Sequence, residues 1–317
     1  MPESPDSPLL ERASDVSAGA ATDEVELQLA AVEVGAEPVH KRRLGVGAWL
    51  CIVWLGGVTA AALLAPILPL DDPNELFSNI VSAKPGTAGH LLGGDATGHD
   101  LLAQVIWGAR NSLAIGFGAI SIGLLVGGVL GLYAGYYRGR RDAIIVLLLN
   151  IMLSFPALIL ALALVAVLQN RVSPLITLIL SLGVISVPIL ARITRANTLV
   201  WAQREFVMAA RAQGAKDWRI MIREVLPNVL PSAFSIALLG VAVVIVAEAG
   251  LGTLGVGLPA TSPSWGGIIN NGRPDLTSGT TAHIAFIGSA MVFFTVLALN
   301  YLGDVVRSRF DVREAAI

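Results

Sequence analysis

Residues 111–137 read NSLAIGFGAISIGLLVGGVLGLYAGYY, 27 residues without a charged side chain. At 1.5 Å per residue such a run makes a helix of about 40 Å, longer than the roughly 30 Å of a bilayer's hydrocarbon core. Gly127, Gly128, Gly131 and Gly135 recur at small-xxx-small spacing within it. That spacing lets the backbone of a second helix come close. The stretch therefore predicts a membrane-spanning helix packed tightly on a neighbour.

Five further charge-free runs of spanning length lie around it: Leu44–Leu70, Ala143–Asn170, Val172–Ala191, Val225–Ala247 and Ile284–Gly303. Each reaches the roughly 20 residues that a spanning helix needs. Together they predict an all-α integral membrane protein with six transmembrane helices. Ala249–Gly272 is also free of charge, but it holds seven Gly and two Pro. Backbone outside a helix leaves polar groups unpaired in lipid, so this segment is read as a loop or re-entrant turn at the interface or on protein.

Composition agrees. The chain of 317 residues is 55% hydrophobic and 14% charged, against about 25% charged in soluble domains. Its net charge of −2 averages two unlike parts. Residues 1–40 carry nine acids and one base, and they lack a sustained apolar pattern. They read as a disordered acidic cytoplasmic tail, with a short amphipathic helix over Leu27–Val34 as the alternative. No apolar core opens the chain, so a cleaved signal peptide is not expected. Lys41, Arg42 and Arg43 then precede Leu44–Leu70, which suits an uncleaved anchor.

With the N-terminus inside and the spans alternating, inside segments hold sixteen Lys/Arg and outside segments four. This positive-inside bias places both termini in the cytoplasm. The outside loops are then 71–110 and 249–283. Catalytic chemistry finds little footing. Cys51 is the one cysteine, and His40, His90, His99 and His283 are scattered. No G-x4-G-K-[ST] phosphate loop occurs, so no nucleotide-binding motif of that kind is read in this sequence.

The longest inside loop, 201–228, contains EFVMAARAQGAKDWRIMIREVLPN at residues 205–228. Good helix formers run from Glu205 to Gln213, and Gly214 ends that helix as a C-terminal glycine does. Asp217 is placed to cap a second short helix, which Pro227 closes or kinks. Ala209, Ala210 and Ala212 keep the first helix thin enough for another protein to approach. A basic amphipathic connector lying on lipid headgroups is the plainer reading of the same residues.

The spacing Glu205-x3-Ala209-Ala210-x3-Gly214, ending in Leu226-Pro227-Asn228, resembles the "EAA" signature of binding-protein-dependent ABC importer permeases. Its form is that of the dipeptide/oligopeptide/nickel branch. Other segments resemble the C-type permease subunit of that branch, in the right order. They are Gly93-Gly94-Asp95 through Gly98-His99-Asp100, Gly108-Ala109-Arg110-Asn111-Ser112-Leu113, Asp142 through Ser154-Phe155-Pro156, and Glu248 through Gly257 with Pro263-Ser264-Trp265-Gly266. Asn300 through Gly303-Asp304 and Arg307 completes the series. His99, Gly252-Thr253 and Val312 depart from the pattern, where the branch has Arg, Ser-Phe and Pro.

The resemblance implies a type I ABC importer permease fold over 41–317 and no enzymatic activity in this chain. It implies that Glu205, Ala209, Ala210, Gly214, Ala215, Asp217, Pro227 and Asn228 form the coupling helix that seats an ATPase. The implied partners are a second, B-type permease, two ATPase subunits or one fused ATPase holding ATP and Mg2+, an extracytoplasmic substrate-binding protein, and the lipid of a bacterial cytoplasmic membrane. No nucleic-acid partner is expected. Implied cargo is di- or oligopeptide, with a nickel chelate or glutathione as the alternative. Asn150, Ser154, Glu248 and Asn300 are polar groups in spans and are candidates for the translocation path. Such groups also serve as interhelical bonds. An ion-coupled secondary transporter is the reading from another class. It calls for inverted repeats and midplane acids, and neither is visible.

Overall fold

Among the described residues five helices are long and apolar enough to cross a membrane, and six spans result if one sharply bent pair counts as a single crossing. The computed structural model describes residues 45–273 and 282–314. The expected acidic tail at 1–40 and the basic triplet Lys41–Arg43 lie outside the described residues.

Helix α1 is Val46–Leu64, α2 is Leu101–Tyr137, and the bent pair is α3 (Gly139–Leu153) and α4 (Ala157–Leu168). Next come α5 (Pro174–Trp201), α6 (Glu205–Ala212) and α7 (Asp217–Thr253), then α8 (Trp265–Gly272) and α9 (Ala282–Glu314). Among the described residues the only β pairing is an isolated bridge between Gly94 and Asp100. The six apolar runs are thus helical, but three boundaries differ from the sequence reading.

First, α2 starts at Leu101, so ten residues assigned to the loop 71–110 are helical. Asp100 explains the start, since its side chain accepts the Ala103 N–H at 2.8 Å and satisfies an orphan donor of the first turn. Second, the run Ala143–Asn170 is not one straight span. It turns by 87° between α3 and α4, at Ser154-Phe155-Pro156. Proline has no N–H and pushes the preceding residue out of helical geometry, which breaks the ladder. Third, the Gly-rich segment 249–272 is helical at both ends, as the close of α7 and as α8. Only the turn between them is irregular.

Small residues set the packing. A Cβ on Gly127 would stand 2.5 Å from the Val187 carbonyl oxygen of α5, and one on Gly131 would strike the Ala191 carbonyl oxygen. Helix α2 therefore lies backbone to backbone on α5 through the spacing seen in the sequence. The main core is built from α2, α5, α7, α8 and α9, around Ile115, Leu178, Ile245, Leu251, Trp265 and Ile284. Between α3 and α5, Asp142 holds Arg195 through two bonds of 2.5 and 2.6 Å. Two parallel charge-assisted bonds fix both distance and orientation.

Ahead of α2, residues 71–100 fold on hydrogen bonds rather than on regular structure. Asp95 accepts the backbone N–H groups of Thr97 and His99 at 2.9 and 2.8 Å, and the Thr97 hydroxyl at 2.8 Å. Burial works to raise the pKa of its carboxyl, but the bonds from His99 and Thr97 outweigh it and hold the group below the usual carboxylate range.

Candidate functional site

The segment 205–228 forms an elbow that the chain braces from within. Helix α6 ends in a Schellman turn. The Ala215 N–H bonds to the Ala210 carbonyl at 3.1 Å and the Gly214 N–H to the Arg211 carbonyl at 3.0 Å. Gly214 takes φ +80° to close it, in the left-handed region that side-chain-bearing residues resist.

Asp217 does not cap the next helix, as the sequence reading expects. Lys216 occupies the cap position, and no side chain bonds there. The Asp217 carboxylate is engaged elsewhere. It accepts the Tyr136 hydroxyl at 2.9 Å and lies 3.8 Å from Arg211 Nε. Arg211 in turn stacks over the Tyr136 ring at 5.6 Å and donates to its hydroxyl at 3.4 Å. Arg211 and Asp217 flank the bend, and Tyr136 near the end of α2 joins them. The carboxylate is drawn from the capping role by a donor across the fold, the Tyr136 hydroxyl.

Beneath this brace sits a separate small core of Leu132, Tyr136, Trp201, Val207, Ile220, Val225 and Val229, with Ala210 and Ala215 packed against it. Full burial of an aliphatic side chain contributes about 1.5–3 kcal/mol. The elbow is thus fastened to the ends of α2 and α5 as one unit.

Nor does Pro227 close a second short helix. The helix that begins at Asp217 runs through Pro227 without a break, as the single helix α7. A π-turn at Met221–Val225 immediately precedes Pro227. Widening the turn there accommodates a residue that lacks an N–H and crowds the carbonyl four residues back. The Asn228 side chain bonds back to the Glu224 carbonyl at 2.6 Å, within that widened stretch. The elbow is therefore a short helix joined through one bend to a long one that enters the apolar core.

Its outward face carries Glu205, Ala209 and Pro227, all exposed. Phe206, Met208, Trp218 and Ile222 are also exposed there, at 37%, 57%, 57% and 47%. Arg211, Lys216, Asp217, Arg219 and Arg223 are exposed on the same segment, and this mixture of charged and large apolar side chains suits contact with protein. Of the two alanines in the motif, Ala209 points outward and Ala210 inward.

The four path candidates fall on separate elements. Asn150 and Ser154 are exposed on and just after α3, where Asn150 accepts from Arg192 at 2.7 Å. The Ser154 hydroxyl donates to the Asn150 carbonyl at 2.9 Å. Glu248 is fully buried. It accepts the Ser112 hydroxyl at 3.2 Å, and Ser112 Oγ accepts the Trp265 N–H at 3.1 Å. That carboxyl joins α2, α7 and α8. Asn300 is half-buried on α9. Tyr136, Arg211 and the pair Asp142–Arg195 are site and frame residues that sequence reasoning missed. Tyr136 and Asp217 lie 81 residues apart, and such partners cannot be read from spacing.

Comparison with known proteins places this arrangement. Residues 127–314 match the family described as binding-protein-dependent transport system inner membrane component. The glutathione transport system permease protein GsiD of Pectobacterium atrosepticum is 33% identical over 86% of this chain and 87% of its own length. The dipeptide transport system permease protein DppC of Alkalihalophilus pseudofirmus is 35% identical over 83% of this chain and 85% of its own. A chain in the inward-facing structure of the MetNI methionine ABC transporter shares the fold, with a TM-score of 0.56 and 21% identity. The match covers 66% of this chain and 97% of that one. The protein belongs to the family of inner-membrane permease components of binding-protein-dependent ABC importers. The fold is that of a type I importer permease, and the family is a transport component.

Proposed function

We propose that this permease moves di- or oligopeptides inward by ATP-driven alternating access, and that the elbow 205–228 is where an ATPase drives it. The observation that carries the reading is the elbow's construction. An exposed helix bearing Glu205 and Ala209 is fastened by its own core and by the Tyr136–Asp217–Arg211 brace to α2 and α7. A push on α6 therefore reaches two long helices as a rigid displacement. In this reading the ATPases, as two chains or one fused chain, bind ATP and Mg2+. A second permease of B type completes the pathway, and an extracytoplasmic binding protein delivers cargo. Both termini and the elbow face the cytoplasm, in line with the Lys/Arg bias.

The peptide cargo is supported by the dipeptide and glutathione systems to which the relatives belong. Glutathione is itself a peptide, and its carriage is the second reading. Glu205, Gly214, Ala215, Asp217, Pro227 and Asn228 are assigned to coupling, with Ala209 in contact with the partner and Ala210 supporting it from below.

Glu205→Ala in the assembled complex tests the assignment. The residue is exposed at the first turn of α6, and alanine is a good helix former. The variant is expected to reach the membrane at normal levels. Peptide uptake and ATPase co-purification are expected to fall together, by about fivefold for one charge contact of about 1 kcal/mol. Normal uptake with the ATPase fully retained contradicts the role given to Glu205.

A further inference from the structure

The segment ahead of α2 holds three metal-ligating side chains that the transport reading leaves unused. Asp71, His90 and Asp100 each present one ligand atom, and these atoms lie within 4.8 Å of one another. His90 Nδ1 stands 2.9 Å from Asp100 Oδ1 and 3.4 Å from Asp71 Oδ2. In a tetrahedral Zn2+ site with bonds near 2.0 Å, neighbouring ligands are about 3.3 Å apart. The two distances fall on either side of that value.

Asp100 and His90 are held in place by something other than the cluster, and the backbone just beyond Asp71 is pinned. Asp100 Oδ2 accepts the Ala103 N–H at 2.8 Å, which leaves Oδ1 for the cluster. The His90 ring packs on Phe77 with centroids 5.1 Å apart. Two residues beyond Asp71, the Pro73 carbonyl is pinned by the buried Gln104 side chain at 2.5 Å. Little ordering is then left for an ion to impose.

A hydrogen bond between His90 and Asp100 accounts for two of the three groups. It does not account for the third. One Nδ1 carries one proton, whereas two carboxylates approach it, and like charges in one site repel. A dication satisfies both. His99 shows the contrast, since its ring meets the single carboxylate of Asp95 at 2.9 Å. Asp71 is 48% exposed, which provides an entry route and room for a water as fourth ligand.

We propose that Asp71, His90 and Asp100 bind one divalent transition-metal ion, with Zn2+ the best fit. One imidazole with two carboxylates is a donor set suited to such ions, whereas Mg2+ and Ca2+ take oxygen ligands. Asp100 ligates through Oδ1 and His90 through a deprotonated Nδ1. The ion fastens residues 71–100 to the first turn of α2. This site is independent of the cargo and of the coupling role of the elbow.

The test uses the full-length chain in detergent, stripped by a chelator and titrated with ZnCl2 against a chromogenic competitor. One Zn2+ per chain is expected, with a raised melting temperature. Asp71→Asn is expected to weaken binding at least about tenfold, since loss even of an outer-shell partner costs about 10–100-fold, and to abolish the thermal shift. Asp71 is half exposed, so the variant keeps its size-exclusion profile and the comparison stays readable. His99→Gln is the control and is expected to bind as the parent does. Absence of saturable Zn2+ binding, or equal affinity in Asp71→Asn, overturns the proposal.

Discussion

Gly214→Val is expected to cut ATP-driven uptake about tenfold or more while leaving the protein in the membrane. Gly214 holds φ +80°, and nothing lies within 4 Å of a Cβ built there. Steric crowding is therefore absent, and the whole effect comes from the backbone. A left-handed conformation costs a non-glycine residue about 1–2 kcal/mol, and more for a β-branched one. To escape that strain the chain must open the turn that joins Ala215 to the Ala210 carbonyl. Arg211 and Asp217 then no longer flank one bend, and Tyr136 loses its place between them. Helix α6 swings relative to α7, and each 1.4 kcal/mol of lost registration is a tenfold loss. Gly214→Asn is the informative companion, because asparagine tolerates this region better than other side chains. Uptake partly restored in Gly214→Asn supports the backbone argument. Equal uptake in the parent, Val and Asn forms contradicts it.

Gly131→Leu is expected to do more damage, and of a different kind. A Cβ there strikes the Ala191 carbonyl oxygen, with the Arg195 N at 2.9 Å. Those atoms are backbone and cannot rotate away. Forcing extra atoms into a packed core typically costs about 1–3 kcal/mol even when side chains can move. Here α2 and α5 must separate, and the Asp142–Arg195 pair lies beside the same stretch of α5. The folded yield in detergent is expected to collapse, measured as the monodisperse fraction after size exclusion. Gly128→Leu is the control, because nothing lies within 4 Å of its Cβ. Comparable yields from the two variants contradict the close approach of α2 and α5.

These residues also show how far the sequence carries. Charge-free runs mark every long helix, because lipid forbids unpaired charge and open backbone alike. The glycine spacing in α2 shows which face is tight, because backbone contact leaves no room for a Cβ. Gly214 marks the bend, since a positive φ selects glycine. Other features resist such reading. The 87° turn at Pro156 sits inside a run whose hydropathy is unbroken, and Pro188 in α5 shows that proline alone does not decide the matter. Pro227 is absorbed by a π-turn, a local widening with no composition of its own. Asp217 has the sequence of a cap and the structure of a brace, because the Tyr136 hydroxyl lies far off in sequence. Glu248, read as either a path candidate or an interhelical bond, bonds to Ser112 across to α2 and through it to the start of α8. At Asp217 a tertiary partner competes with a local preference and wins, whereas at Pro156 and Pro227 the outcome is set by local backbone geometry.

Photo-cross-linking from position 209 tests the central claim most directly. Ala209 is exposed on α6, and a photoreactive residue placed there in the assembled complex reports what covers that face. The account predicts a cross-link to the ATPase chain, and none from the same probe at exposed Thr87 ahead of α2. Cross-links from position 209 to lipid alone, with the ATPase bound and active, contradict it and leave the elbow a surface connector.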